Sequence, residues 1–274
     1  MQKWAVVLDL FLLILPLAAQ PNDSATRALR VNNLSISGVS HVSTADLNAV
    51  QDEVKSNCCQ DAETEEIREY IRYVFGKRGY FKVRIDQLDV TPLDLHTVPP
   101  AVAVSVEVTE GIQYRLKSIT FREEKVFSSH QLREQFVIAD GDIFNAEKIR
   151  IGADNIRTLY VTKGYVDFTP VLETDTDDAS ATASLSVYVD EGKQFRLGAL
   201  LLDGVELHPG DSAKLLEAWK PMEGRVYNGS KVEEWWCLAA TMLPPGSRLE
   251  QLLELRQDAT SQIVNALLRF PTTR

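Results

Sequence analysis

Short runs of this chain alternate apolar and polar residues. Between the runs, apolar residues recur every three or four positions. The middle of the chain shows this most clearly. "YRLKSITF" (Tyr114–Phe121) alternates and predicts a strand. "SSHQLREQF" places Leu132 and Phe136 four apart on one helical face, with Ser128 or Ser129 as N-cap. Gly141 breaks that helix. Asn145 caps a longer one, striped by Ile149, Ile156, Leu159 and Tyr160 and stopped at Gly164. "VDFTPVLE" and "ATASLSVYVDEG" alternate again, and the acidic turn "TDTDDAS" joins them as a hairpin. The predicted order is strand, helix, helix, strand, strand.

The same order recurs on either side. "FRLGALLL" (Phe195–Leu202) matches "YRLKSITF" 81 residues on, and "GDIFNAEKI" matches "GRVYNGSKV" 83 residues on. The shared positions are those with a backbone task. Gly141 and Gly224 turn the chain, Asn145 and Asn228 cap a helix, and Phe144 and Tyr227 staple the chain to it. Upstream, "LRVNNLSISG", "STADLNAVQDEV" and "TEEIREYIRYVFGKRG" give strand, helix, helix. Gly79-Tyr80 then opens "FKVRIDQLDV", as Gly164-Tyr165 opens the matching stretch, and Glu110-Gly111 and Glu191-Gly192 close the two units 81 residues apart. A period this long signals a tandem array. The third unit departs from it, with "LPPGSRLEQLLEL" in place of Gly-Tyr, although "SQIVNALLRF" still supplies a closing strand.

The element order, the Gly-Tyr that opens the fourth element and the Glu-Gly that ends the fifth resemble the POTRA domain, the polypeptide-transport-associated repeat. These domains stand in tandem in the periplasmic part of outer-membrane protein assembly factors of the surface-antigen type. The resemblance implies an α+β fold of three repeats at 27–113, 114–194 and 195–271. In each, two helices would cover one face of a three-stranded mixed sheet. It also implies binding along the second strand of a repeat, here Phe81, Val83 and Ile85, and Val166, Asp167, Phe168 and Val171. Gly79, Tyr80, Gly164 and Tyr165 read as a structural junction. Full assembly factors continue into a membrane barrel, and these 274 residues hold no such run of strands. The expectation is a free-standing repeat protein or the front part of a split barrel protein.

Charge and composition narrow the function. A net charge of −10 excludes a nucleic-acid backbone or anionic lipid as an electrostatic partner. Residues 1–20 read as a secretory leader, with Lys3, an apolar run and the small residues Ala18-Ala19; the alternative is an uncleaved anchor, for which the run is short and carries Asp9. Export through it would give a periplasmic, outer-membrane-associated protein. Cys58, Cys59 and Cys237 have no metal-ligand spacing and read as incidental reduced thiols, since adjacent cysteines rarely bridge without strain. The four histidines form no HExxH pair, and "ETDTDDAS" fails the calcium-loop pattern at its sixth and twelfth positions. No enzyme, metal or cofactor is expected.

What remains is backbone chemistry. An edge strand presents unpaired N–H and C=O groups to which an extended client strand can add with little demand on sequence. The expected partners are unfolded outer-membrane proteins or assembly-machine subunits. The alternative is a rigid docking or spacer module of a secretion or cell-division complex.

Overall fold

The computed structural model describes residues 6–7, 30–58, 64–94, 96, 100–203, 209–242 and 253–269. Its elements are β1 (Val6–Val7), β2 (Arg30–Ser37), α1 (Thr44–Asn57), α2 (Thr64–Gly76), β3 (Arg84–Asp94), β4 (Ala101–Thr109), β5 (Arg115–Arg122) and α3 (Ser129–Arg133). They continue with α4 (Ala146–Val161), β6 (Thr169–Asp177), β7 (Thr182–Asp190), β8 (Arg196–Asp203), α5 (Pro209–Trp219), α6 (Gly229–Ala240), β9 (Leu253–Asp258) and β10 (Ile263–Arg269). After β1, the predicted order of strand, helix, helix, strand, strand occurs three times.

The sheets run β2-β4-β3, β1-β6-β7-β5 and β8-β10-β9. In the first and third, the opening strand pairs parallel with the closing one, and the closing strand pairs antiparallel with its hairpin partner. The closing strand is therefore central, which explains why "AVAVSVEV" and "IVNALL" are the most apolar strands of their sheets. The expected boundaries at 113/114 and 194/195 fall in the loops between β4 and β5 and between β7 and β8.

Packing divides the chain into two compact units, 1–121 with 133–152 and 172–187, and the remainder. In the first, Val50 and Val54 of α1 and Ile67, Ile71, Val74 and Phe75 of α2 pack on Val102, Val104, Val106 and Val108 of β4. Ser43 caps α1 by accepting the Asp46 N–H at 3.1 Å. In the second, Trp219, Trp235, Leu215 and Val232 pack on Leu197, Leu200, Val264 and Leu268. The rings of Trp219 and Trp235 meet edge to face, and their indole N–H groups donate to the carbonyls of Gly198 and Leu215. Trp236, next to Trp235, is partly buried and packs against this same core.

One expectation is corrected: Cys58 is disulfide-bonded, while Cys237 is a free, exposed thiol. Cys59, Pro244-Pro245-Gly246 and most of the expected leader lie outside the described residues.

Candidate functional site

The repeated Gly-Tyr is a helix stop with a second task. After α2, the Gly79 N–H donates to the Gly76 carbonyl at 3.2 Å and the Tyr80 N–H to the Phe75 carbonyl at 3.1 Å. After α4, Gly164 donates to Val161 and Tyr165 to Tyr160, both at 3.1 Å. These paired bonds form a Schellman motif, whose left-handed residue is Gly79 at φ 85° or Gly164 at φ 84°. Tyr80 and Tyr165 supply its hydrophobic contact, edge to face on Phe75 and Tyr160.

The second task is to receive the next repeat. The Gly79 carbonyl accepts the Tyr114 N–H at 3.0 Å, and the Gly164 carbonyl accepts the Phe195 N–H at 2.8 Å. A Cβ at Gly79 would come within 2.8 Å of Ile143 and 3.0 Å of the Tyr114 carbonyl; at Gly164 it would come within 2.8 Å of both Val226 and the Phe195 carbonyl. Glycine is thus required by conformation and by space at once. The incoming strand is held further by Gly141 and Gly224, whose N–H groups donate to Leu116 and Leu197 at 2.7 Å each.

The Glu-Gly endings also have a specific task. Glu110 is buried, and its carboxylate accepts the N–H groups of Ser40 and His41 at 2.8 and 2.7 Å. Burial opposes its ionisation, but these donors and the Ser40 hydroxyl outweigh that and bring its pKa down to about 2. Glu191 accepts the N–H groups of Lys125 and Val126 at 2.8 and 2.9 Å and the Tyr160 hydroxyl at 2.9 Å. Burial again works against ionisation, and those donors hold its carboxyl below the usual range. Each glutamate ties the end of a closing strand to the loop after the opening strand of the same repeat.

The candidate edge residues fall on two sides of a turn. The Val83 N–H donates to the Tyr80 carbonyl at 3.1 Å and the Phe168 N–H to the Tyr165 carbonyl at 3.4 Å, so a β-turn follows each tyrosine. Strands β3 and β6 begin only at Arg84 and Thr169. Phe81, Val83, Val166, Asp167 and Phe168 therefore precede the strands, with Val83 and Phe168 buried. Ile85 lies in β3 but faces the core, whereas Val171 lies in β6 and is exposed.

The edge itself lies further along. In β6, Leu172, Thr174 and Thr176 turn inward while Glu173 and Asp175 are exposed, the period-two pattern of a half-buried strand. β6 pairs antiparallel with β1, Val6 opposite Thr174 and Val7 opposite Glu173. On the side of β6 facing α4 a narrow apolar slot is lined by Phe81, Phe144, Ala146, Ile149, Leu172, Thr174 and Leu185. Phe81, selected from the sequence as an edge residue, thus lines the slot, its ring 4.8 Å from that of Phe144. Among the described residues no group of three or more His, Cys, Asp or Glu could hold a metal ion, and no helix is long and apolar enough to cross a membrane.

Comparison with known proteins fits this geometry. The POTRA family, described as "surface antigen variable number repeat", matches residues 114–192. The chain is 25% identical over 128 residues to the outer membrane protein assembly factor BamA of Neisseria meningitidis, covering 43% of this chain and 16% of that protein. It is 22% identical over 166 residues to BamA of Buchnera aphidicola, covering 60% of this chain and 26% of that one. It therefore spans only a minor part of these relatives. The crystal structure of POTRA domains 3–5 of Haemophilus influenzae BamA superposes with a TM-score of 0.65 at 22% identity, covering 91% of this chain and 99% of that one. Residues 114–192 thus match the POTRA family, and the chain has the fold of three tandem POTRA-like units.

Proposed function

We propose that the chain is a non-enzymatic periplasmic scaffold in outer-membrane protein assembly, which holds extended polypeptide segments by adding them as strands to the edge of β6. Its partners are unfolded outer-membrane proteins or subunits of the assembly machine. The role is supported by the POTRA domain and by relatives named as outer membrane protein assembly factors. The pairing at β6 carries the binding mode, because that edge accepts an antiparallel strand opposite Thr174 and Glu173. β1 falls within the expected leader, so export processing removes it and leaves the edge open.

Backbone-modified peptides test this without altering the protein. Eight-residue peptides taken from barrel strands are N-methylated at one or the other set of alternate amides. Their affinity for the processed chain is read by fluorescence anisotropy. Methylation of the set facing β6 is expected to abolish binding, and methylation of the other set to leave it within about twofold. Equal loss in both sets would sink edge addition. The rigid docking arm keeps support from a polar lock at the first junction. There Lys82 donates to Asp178 at 3.2 Å and Thr176 at 2.8 Å, and the Tyr114 hydroxyl donates to Asp178 at 2.5 Å. On that reading no peptide binds at all.

A further inference from the structure

We infer that the β6 edge selects one class of extended segment, in which aliphatic and basic residues alternate. This rests on the strand-addition reading above and gives that site a specificity. A strand added to β6 continues its pleat, so its side chains turn alternately to the helix side and to the open side of the sheet.

On the helix side the new strand meets the slot beside Leu172, Ile149 and Phe144. The free space there is about 20 Å³, which admits a methyl-bearing tip and not a ring. On the open side it meets Glu173 and Asp175, two residues apart on one face and so roughly 7 Å apart along the strand. Neither has an ion-pair partner among the described residues.

On the other outer strands, β3 and β9, the carboxylates are engaged by neighbours. On β3, Asp86 pairs with Arg84 at 3.3 Å and accepts the Thr109 hydroxyl, and Asp89 accepts the Gln87 amide. On β9, Glu254 pairs with Arg256 at 2.8 Å and with Arg269 at 3.3 Å. Asp177, which ends β6, and Asp178 just after it are also engaged. The first accepts the N–H groups of Ala179 and Ser180 in the hairpin turn, and the second is held by Tyr114 and Lys82. Glu173 and Asp175 alone are left to meet the residues of an added strand. Opposite charges directly across a sheet attract and like charges repel, so lysine or arginine fits there and an acidic residue does not.

Three eight-residue peptides test this, identical in their Val and Leu positions and carrying Lys, Ser or Glu between them. A fourth has the composition of the Lys peptide with its lysines gathered at one end. Each is titrated against the processed wild-type chain and the E173Q/D175N variant. The expected order on wild type is Lys, then Ser, then Glu, with Lys and Ser separated by roughly two- to thirty-fold from two cross-strand pairs. That separation should collapse in E173Q/D175N. The gathered-lysine peptide should lose the advantage, which distinguishes this edge from general attraction to a chain of net charge −10. If the three alternating peptides bind wild type alike while N-methylation still discriminates, the charge selection is wrong and strand addition stands. If none of them binds, strand addition and the selection fall together.

Discussion

The joints at Gly79 and Gly164 share a main-chain frame and two side-chain bonds, and differ in the other side chains that could secure them. The bonds from Tyr114 to Gly79 and from Phe195 to Gly164 measure 3.0 and 2.8 Å, and those from Phe144 to Tyr114 and from Tyr227 to Phe195 both measure 2.9 Å. Gln113 and Gln194 each donate to the carbonyl before the glycine at 2.9 Å, and Arg115 and Arg196 each donate to the carbonyl of the turn glycine at 2.9 Å. Around this frame the first joint adds Lys77, bridging Glu53 at 2.7 Å and Glu147 at 3.1 Å, and the Lys82–Asp178–Tyr114 lock. The second joint has Thr162, Ser230, Asp167, Ala259 and Phe195 at the corresponding places, and none of those interactions. Size is exchanged as well. Gly76 faces Ala146 at the first joint, and Val161 faces Gly229 at the second. The geometry of a joint thus belongs to its main chain and its glycine. The side chains set how firmly that geometry is held.

The most severe way to break this comparison is to give the glycines a side chain. Gly79→Ala and Gly164→Ala incur about 1–2 kcal/mol from the left-handed backbone and about 1–3 kcal/mol more from crowding the next repeat. Gly141→Ala is the control, because its φ is 92° but a Cβ there meets nothing within 4 Å. Urea denaturation should rank both junction variants well below this control. Equal loss in all three would show that close approach does not constrain the joint.

A smaller effect separates the closure of a repeat from its joints. The carboxyl of Glu110 titrates lower folded than unfolded, so its contribution is present at neutral pH and lost as pH falls from near 4.5 through about 2. That contribution is about 3 kcal/mol at most. Glu110→Gln should remove most of it at pH 7 and leave a stability that changes less between pH 4.5 and 2. An unchanged acid profile in this variant would mean that the closure is not what acid breaks.

The smallest effect sharpens the comparison. Tyr114→Phe with Asp178→Ala rebuilds the polar lock of the first joint in the likeness of the second. Tyr114 is buried but Asp178 is exposed to solvent, so the expected loss of stability is small. It should show as several-fold faster hydrogen exchange at the Tyr114 amide with no change in fold. No change in that exchange rate would mean that the lock contributes nothing to firmness.

Much of this organisation can be read from the residues, because the repeat places similar residues at similar tasks. The Gly-Tyr stop, the Asn caps and the Glu-Gly endings are local signals. The starts of β3 and β6 were harder to see. "FKVRI" and "VDFTP" alternate straight through a turn that has no glycine or proline at its corner, so the edge is expected too early. Two further features depend on distant partners. Glu110 meets Ser40 and His41 some 70 positions away, and Gly79 needs its missing side chain because of Tyr114 and Ile143. Glu173 and Asp175 look in the sequence like part of an acidic turn. Only the strand separates them from Asp177 and Asp178, which are already engaged.

The parallel pairing of opening and closing strands has a mechanical meaning. In the first repeat the chain arrives at the start of β2 and departs from the end of β4, and in the third it does so through β8 and β10. Because the paired strands are parallel, arrival and departure lie at opposite ends of one hydrogen-bonded ladder. Traction along the chain therefore slides one strand against the other and strains the whole ladder together, instead of unzipping it bond by bond. The outer hairpin strands β3 and β9 stand outside that load path, so a repeat can bear tension along its length without loading its outermost strand.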